Sequence, residues 1–489
     1  MQQLASQLEA GAGAEGVGFG NASPEQVAML LKAMSAGHKL GSDPTGTGAN
    51  ALKVEALDRN LKSLEFKTAA LRIWHMIPKE NATSTVEQYN REISYGDEYG
   101  GFFDEGGTPE DTDSEYQRVA EFVKYLGTIR GVTLQAKMTN MAVGSIKQKA
   151  IQDGMKNILR RADRALFNGN ANIIDQEWNG ILTQHQNYFT SFANWYNSPT
   201  VIDMRGKALD EAVLEDAAQI IDDAHGYSDT LLAHTSVISN FSKRFYNAKF
   251  FRPNTPEVSA AEVGQAVSKV HNSFSTLALE KDKFMNDQVA RTLTDNSTHP
   301  KAPAVPVADG SNPATAVSDT AHTKFAGFNG DYVIAVAAEN QFGLSPLVQL
   351  GSGAIAISAT QSVDLKFTAG TGAYQTKGYV IYMSEKDSTN GKLYPVLRIS
   401  VAQHAAGFDG GTEGIVRNRN RIIPNTQKAM QFENSNDIWG FKQLGTMMKM
   451  PLALTSTTER DMILLFGTPM LYLPSKMVVF INCGVYKPE

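Results

Sequence analysis

Nine histidines are scattered along the chain, at His38, His75, His185, His225, His234, His271, His299, His322 and His404. No two stand four apart, the spacing at which a helix would offer a pair to one metal ion, so they read as ordinary surface or core histidines. The one cysteine, Cys483, lies among Phe480, Ile481 and Val485, with no histidine near it in sequence. That setting suits a buried structural thiol better than a nucleophile. No G-x-S-x-G elbow, phosphate-binding loop or dinucleotide fingerprint occurs, and Gly351-Ser352-Gly353 reads as a turn. The densest chemistry is acidic: Asp97, Glu98, Asp104, Glu105, Glu110, Asp111, Asp113 and Glu115 lie between Tyr95 and Tyr116 with no Lys or Arg among them. This run could take a divalent ion, but it lacks the ligand spacing of a calcium loop, and a solvated or partner-facing charge run is the better reading. Two basic groups could answer it. Arg160, Arg161 and Arg164 cluster in one segment, and Arg417, Arg419 and Arg421 alternate in RNRNR, where an extended chain would aim all three to one side. A solvated basic loop is the alternative for the second group. Nothing here names a catalytic residue, metal ligand or cofactor, so the chain is read as a non-enzyme.

The composition is that of a globular protein with ample core: 489 residues, 42% hydrophobic and 20% charged. Its length suggests roughly two to four domains. A formal net charge of −6 argues against a protein that wraps DNA by neutralising phosphates, though not against one that merely faces it. With a single cysteine no intrachain disulfide is possible, as expected in a reducing cytoplasm. Residues 1–20 carry no Lys or Arg and no apolar signal core, and the apolar runs, such as Met477–Ile481, are too short to span a bilayer. No membrane transit is expected.

Residues 1–50 read as a glycine-bearing arm, interrupted by one short amphipathic helix over Pro24–Met34 with Ser23 as its cap. A helical pattern follows through Leu52, Leu57, Leu61 and Leu64 and stops at Ile77–Pro78. Strand-like segments Thr83–Ser94 and Tyr116–Leu134 flank the acidic run, so the three together predict a long two-stranded hairpin with an acidic tip or shaft. Ile146, Met155, Ile158, Leu159, Ala162 and Leu166 fall at helical spacing, which predicts a helix of about 25 residues closed by Asn168–Gly169. Its arginines lie near the C-terminal end, where the helix dipole favours cations. Helices are predicted at Leu209–Ala224 and Val237–Phe245, and a strand at Thr230–His234. Prolines then crowd in at Pro300, Pro303, Pro306 and Pro313. Alternating strands follow at Tyr332–Ala338, Ile355–Ser358, Val363–Phe367, Gly378–Met383 and Val396–Val401, as in a small antiparallel β-sandwich. Strand-like runs Met462–Phe466, Met470–Leu473 and Met477–Ile481 end the chain.

The stretches GDYVIAVAAENQFGLSP and KGYVIYMSEKDS resemble immunoglobulin-like or fibronectin type III modules. STVEQYNREISYGDEYGGFFDEGG with EFVKYLGTIRGVTLQAKMTN, and the ending LLFGTPMLYLPSKMVVFINCGVY, resemble the major capsid proteins of large myovirus-like tailed bacteriophages. The resemblance covers roughly residues 50–295 and 415–489. It implies an α+β HK97-like capsid fold: N-arm, E-loop, P-domain with a long spine helix, and A-domain, plus an inserted all-β sandwich. The implied boundaries are 1–50 for the arm, 51–78 for a helical segment and 79–138 for the E-loop hairpin. Residues 139–295 would hold the spine helix and first part of the A-domain, 296–415 the inserted sandwich, and 416–489 the return to the A- and P-domains. The implied function is a shell, icosahedral or prolate, around packaged phage double-stranded DNA, built from hexamers and pentamers of this chain in the host bacterial cytoplasm. The implied partners are scaffold, portal and decoration proteins, and DNA on the inner face without sequence specificity. No long scaffolding domain precedes the arm, so a separate or very short scaffold is expected. In such a shell the acidic hairpin would meet one of the two arginine groups on a neighbour. Two alternatives stand beside this: an encapsulin-like compartment, and a carbohydrate-binding or carbohydrate-active protein. The latter would need a paired-carboxylate site and usually a secretion signal, and neither is evident.

Overall fold

The computed structural model describes residues 70–96, 101–139, 145–244, 251–252, 262–263, 267–454 and 456–484. The predicted arm, its helix at Pro24–Met34, most of the leucine-patterned helix, and Asp97 and Glu98 lie outside these residues.

The predicted long helix spans Ile146–Asn168, and Gly154, Ile158, Ala162 and Leu166 form its buried stripe at i, i+4 spacing. That stripe lies on a four-stranded sheet ordered Lys79–Asn81, Trp439–Pro451, Thr458–Leu471, Lys124–Thr133. Gly154 sets the approach, because a Cβ there would come 2.5 Å from Ile463 Cδ1 and 3.0 Å from Arg130 Cγ. The helix ends at Gly169 as the pattern predicts, with the Gly169 N–H donating to Ala165 O at 2.9 Å. Its backbone is extended rather than left-handed, and glycine is needed there for space: a Cβ would meet Ala165 O at 2.5 Å and Trp178 O at 2.6 Å. No arginine sits in the last helical turn, so the dipole argument does not hold for Arg160, Arg161 and Arg164.

A six-stranded sheet is ordered Val201–Asp203, Met477–Cys483, Gln427–Phe432, Thr230–His234, Thr276–Asp282, Lys269–His271. One face packs Leu231, Ala233, Val478 and Phe480 against helices Glu211–Asp223 and Thr235–Arg244. The other packs Leu232, Met430, Val479 and Ile481 into the core shared with the long helix. Burial on both faces accounts for the unbroken apolar run MVVFI at the start of strand Met477–Cys483, every residue of which is buried. Cys483 is buried there, and burial pushes its thiol pKa up.

The proline-led region folds as antiparallel sheets around a separate core. One sheet orders Val348–Gln349, Ile334–Glu339, Gly378–Ser384 and Leu393–Ser400. The other centres on Gln361–Thr368, flanked by Val307–Ala308 and Ala314–Ser318. Val336, Ile381, Val363, Leu365, Phe367 and Tyr379 fill the space between them. Strand Ile415–Asn418 pairs with Gln361–Thr368, so this sheet runs past residue 415, and Val416 belongs to its core.

The hairpin differs from its sequence reading. Val86–Ser94 pairs with Glu115–Phe122, but the expected second strand does not continue to Leu134. It breaks at buried Val123, and Lys124–Thr133 pairs instead with Thr458–Leu471. The alternating pattern ran through both pieces and held no mark of the change of partner.

Candidate assembly surfaces

The hairpin is bolted at its base and bare beyond it. Tyr89 Oη donates to Leu471 O at 2.8 Å, and Arg91 Nε donates to Tyr472 O at 2.8 Å. The Arg91 guanidinium lies 5.0 Å from the Tyr188 ring centroid, and Asn179 Nδ2 donates to Glu121 at 3.1 Å. Burial raises the Glu121 pKa, with that hydrogen bond opposing it. Further out, Asp104, Glu105, Glu110, Asp111, Asp113 and Glu115 are all exposed, and among the described residues none forms an ion pair. Phe102 is fully exposed, and Ile93, Tyr95, Phe103, Tyr116 and Phe122 are more than half exposed. Large apolar side chains on a projecting strand pair are an interaction surface in waiting.

The two arginine groups part company. On the long helix Arg161 and Arg164 are exposed and Arg160 is half-buried, and the charge of Arg164 reaches Glu339 of the sandwich. In RNRNR the alternation does aim the side chains together, but onto carboxylates of their own chain. Arg417 grips Asp364 with two bonds of 2.7 and 2.9 Å. Arg419 bridges Asp319 at 2.7 Å and Asp409 at 3.0 Å. Arg421 holds both oxygens of Asp409 at 2.9 and 3.0 Å and lies over the Tyr196 ring at 4.9 Å. The Arg421 and Asp409 side chains are 4% and 3% exposed. These arginines therefore do not form a free basic surface, nor a solvated loop; their ion pairs brace the sandwich itself, and Arg421 alone of the three lies against the α/β core, at Tyr196.

A junction of sandwich to α/β core, unannounced by any run of charge, centres on Arg398. Its Nε donates to Glu339 Oε1 at 2.9 Å and its Nη2 to Glu177 at 2.9 Å, while Nη1 donates to Asn168 O at 3.2 Å. Burial lifts the Glu339 pKa, and Arg398 opposes that shift. The signal in sequence is a lone arginine inside the apolar strand LYPVLRIS. In the α/β core, His185 is fully buried, with Trp195 Nε1 donating to its Nδ1 at 2.8 Å and its Nε2 facing Met477 O at 3.2 Å. That arrangement selects the neutral tautomer protonated on Nε2, and burial lowers its pKa to about 4.

A structure of projecting hairpin, long helix and cross-braced modules has the form of a building block. The sequence profile of the SU10 major capsid protein family matches residues 45–302, more than half of the chain. The chain belongs to that family. It is a structural protein of a tailed-phage capsid, as the hairpin and C-terminal text implied, which sets aside the encapsulin and carbohydrate readings. The major capsid proteins of Staphylococcus phages K and S25-3 are each 23% identical over 462 residues, covering 91% of this chain and 93% of theirs. Among solved structures, the capsid of a native GTA particle overlays with a TM-score of 0.44 at 8% identity, covering 90% of this chain and 98% of that one. The holo-SrpI encapsulin complex of Synechococcus elongatus PCC 7942 overlays at 0.42 and 7%, covering 90% and 96%. Overlays this loose place no individual residue. Among the described residues of this capsid subunit no helix is long and apolar enough to cross a membrane.

Proposed function

We propose that this subunit closes its shell by laying the acidic, aromatic hairpin across the long helix of a neighbouring copy. The observation that carries the reading is the contrast within the hairpin, bolted at Tyr89 and Arg91 and carrying exposed acids and aromatics with no cation of their own beyond. Like charge held together is repulsive, so a basic neighbour relieves it, and the exposed Arg161 and Arg164 fit that role with Arg160 beside them. Arg417, Arg419 and Arg421 drop out because each already holds a carboxylate. One exposed pair is worth about 0–1 kcal/mol, but a shell repeats the contact on every subunit. The fold is of HK97 type, with the hairpin as E-loop, the long helix as spine and the six-stranded sheet as A-domain. The sandwich is an immunoglobulin-like insertion on the outer face. Hexamers and pentamers of this chain assemble in the host cytoplasm around a scaffold and portal, enclose double-stranded DNA without reading its sequence, and can carry decoration proteins. The test is assembly imaged by electron microscopy. Reversing Arg160, Arg161 and Arg164 to Glu blocks shells while leaving a folded subunit, and Arg161→Glu alone makes assembly more salt-sensitive. Normal shells from the triple variant at low and high salt alike would sink the contact.

A further inference from the structure

Two carboxyl groups meet in the core where no charge run points to them. Asp163 on the long helix and Asp282 at the end of strand Thr276–Asp282 are both 0% exposed. Asp282 Oδ2 accepts the N–H groups of Arg72 and Ile73, each at 3.0 Å, and its Oδ1 accepts that of Phe284 at 2.6 Å. Asp163 Oδ1 accepts the Trp74 N–H at 2.7 Å. Together they take the first three N–H groups of the short helix Arg72–Met76, which would otherwise be orphaned. The remaining oxygen, Asp163 Oδ2, is buried with no donor, while its side chain faces Asp282. A donor-less carboxylate oxygen against a second carboxylate is costly unless one proton lies between them, making Asp163 the donor.

We propose that Asp163 and Asp282 form a proton-held latch fastening helix Arg72–Met76 to the long helix. The latched segment leads directly into Lys79–Asn81, the strand that joins the four-stranded sheet, and on to the hairpin. Opening it loosens the root of the hairpin. The latch rests on intrachain geometry and does not depend on how subunits dock.

Burial first, and then the charge of Asp282, raises the Asp163 pKa from 3.8 to about 9. Between those values the closed latch keeps a proton that the open one releases. Closing therefore weakens as pH rises, by at most about tenfold per pH unit, and levels off above about 9. The surrounding ionisable groups have other engagements. The Arg72 guanidinium turns to Glu280 at 2.6 Å, and Lys428 pairs with Asp287. His234, the cross-strand partner of Asp282, has its ring on Ser236 at 2.8 Å, and burial lowers its pKa, so it titrates on the acid side. His75 and Arg160 lie on the two latched helices.

Hydrogen exchange of the full chain over residues 71–78, from about pH 6 to about pH 9 and corrected for intrinsic base catalysis, tests this. The wild type should open more readily with pH, approaching tenfold per unit. Asp163→Asn keeps an N–H for Asp282 and a carbonyl for Trp74 without a titrating proton, and should remove the slope. An equal slope in Asp163→Asn, or none in the wild type, overturns the latch. If the variant does not fold, the wild type alone decides: its infrared spectrum at neutral pH must contain the carbonyl band of an un-ionised carboxylic acid, and absence of that band overturns the proposal.

Discussion

The acidic hairpin and the Arg417–Arg421 segment are both crowded with like charge, yet the fold treats them oppositely. At the segment every arginine is matched: Arg417 with Asp364, Arg419 with Asp319 and Asp409, and Arg421 with Asp409. Burial there makes each pair costly to break, because the partner is left as an uncompensated charge. At the hairpin the described acids stay in water, where their repulsion is screened and their removal costs the subunit little. Charge density in a sequence therefore says nothing about whether a charge is internal brace or external contact. Burial separates the two.

The sharpest way to break this contrast is at Asp409, which serves two arginines from a left-handed backbone at φ 50° that Asn also tolerates. Asp409→Asn keeps the turn but strips the charge, and should destabilise the free subunit by about 3–5 kcal/mol, read from denaturant unfolding. A loss below about 1 kcal/mol would mean that the segment does not depend on the pairing.

His185 extends the comparison to a buried group that stays uncharged. Its pKa falls from 6.5 to about 4 on folding, so its contribution is present above 6.5 and lost as pH drops toward 4. That interval corresponds to roughly 3 kcal/mol at about 1.4 kcal/mol per unit. Stability followed by denaturant titration should decline across this window in the wild type and decline less in His185→Gln. Parallel curves would assign acid sensitivity to other groups.

The smallest expected effect is at the hairpin itself. Asp111→Asn with Asp113→Asn should leave subunit stability within about 0.5 kcal/mol and shift only the salt dependence of shell assembly. A drop in thermal midpoint comparable to that of Asp409→Asn would erase the distinction between the regions.

Much of the architecture was readable from the chain alone. The i, i+4 stripe through Ile158, Ala162 and Leu166 marked the long helix, TLLAH marked its strand, and in the sandwich alternation marked Val363–Phe367 and a short apolar run marked Gly378–Met383. Such patterns are local: each residue's preferred face follows from its own helix or strand, so a short window carries the information. Partner choice is not local. One of the two carboxylates that receive Arg419 lies 100 positions away and the one for Arg417 lies 53 away, so RNRNR could show alternation but not these targets. The change of partner at Val123 was equally hidden, since Glu115–Phe122 and Lys124–Thr133 read as one strand until each had found its own neighbour. The pairing of Asp163 with Asp282, and the proton it requires, arises only where the long helix crosses the end of a strand more than a hundred residues later. Sequence set which residues share a face; only packing in three dimensions decided which charges lost their water and therefore needed a partner.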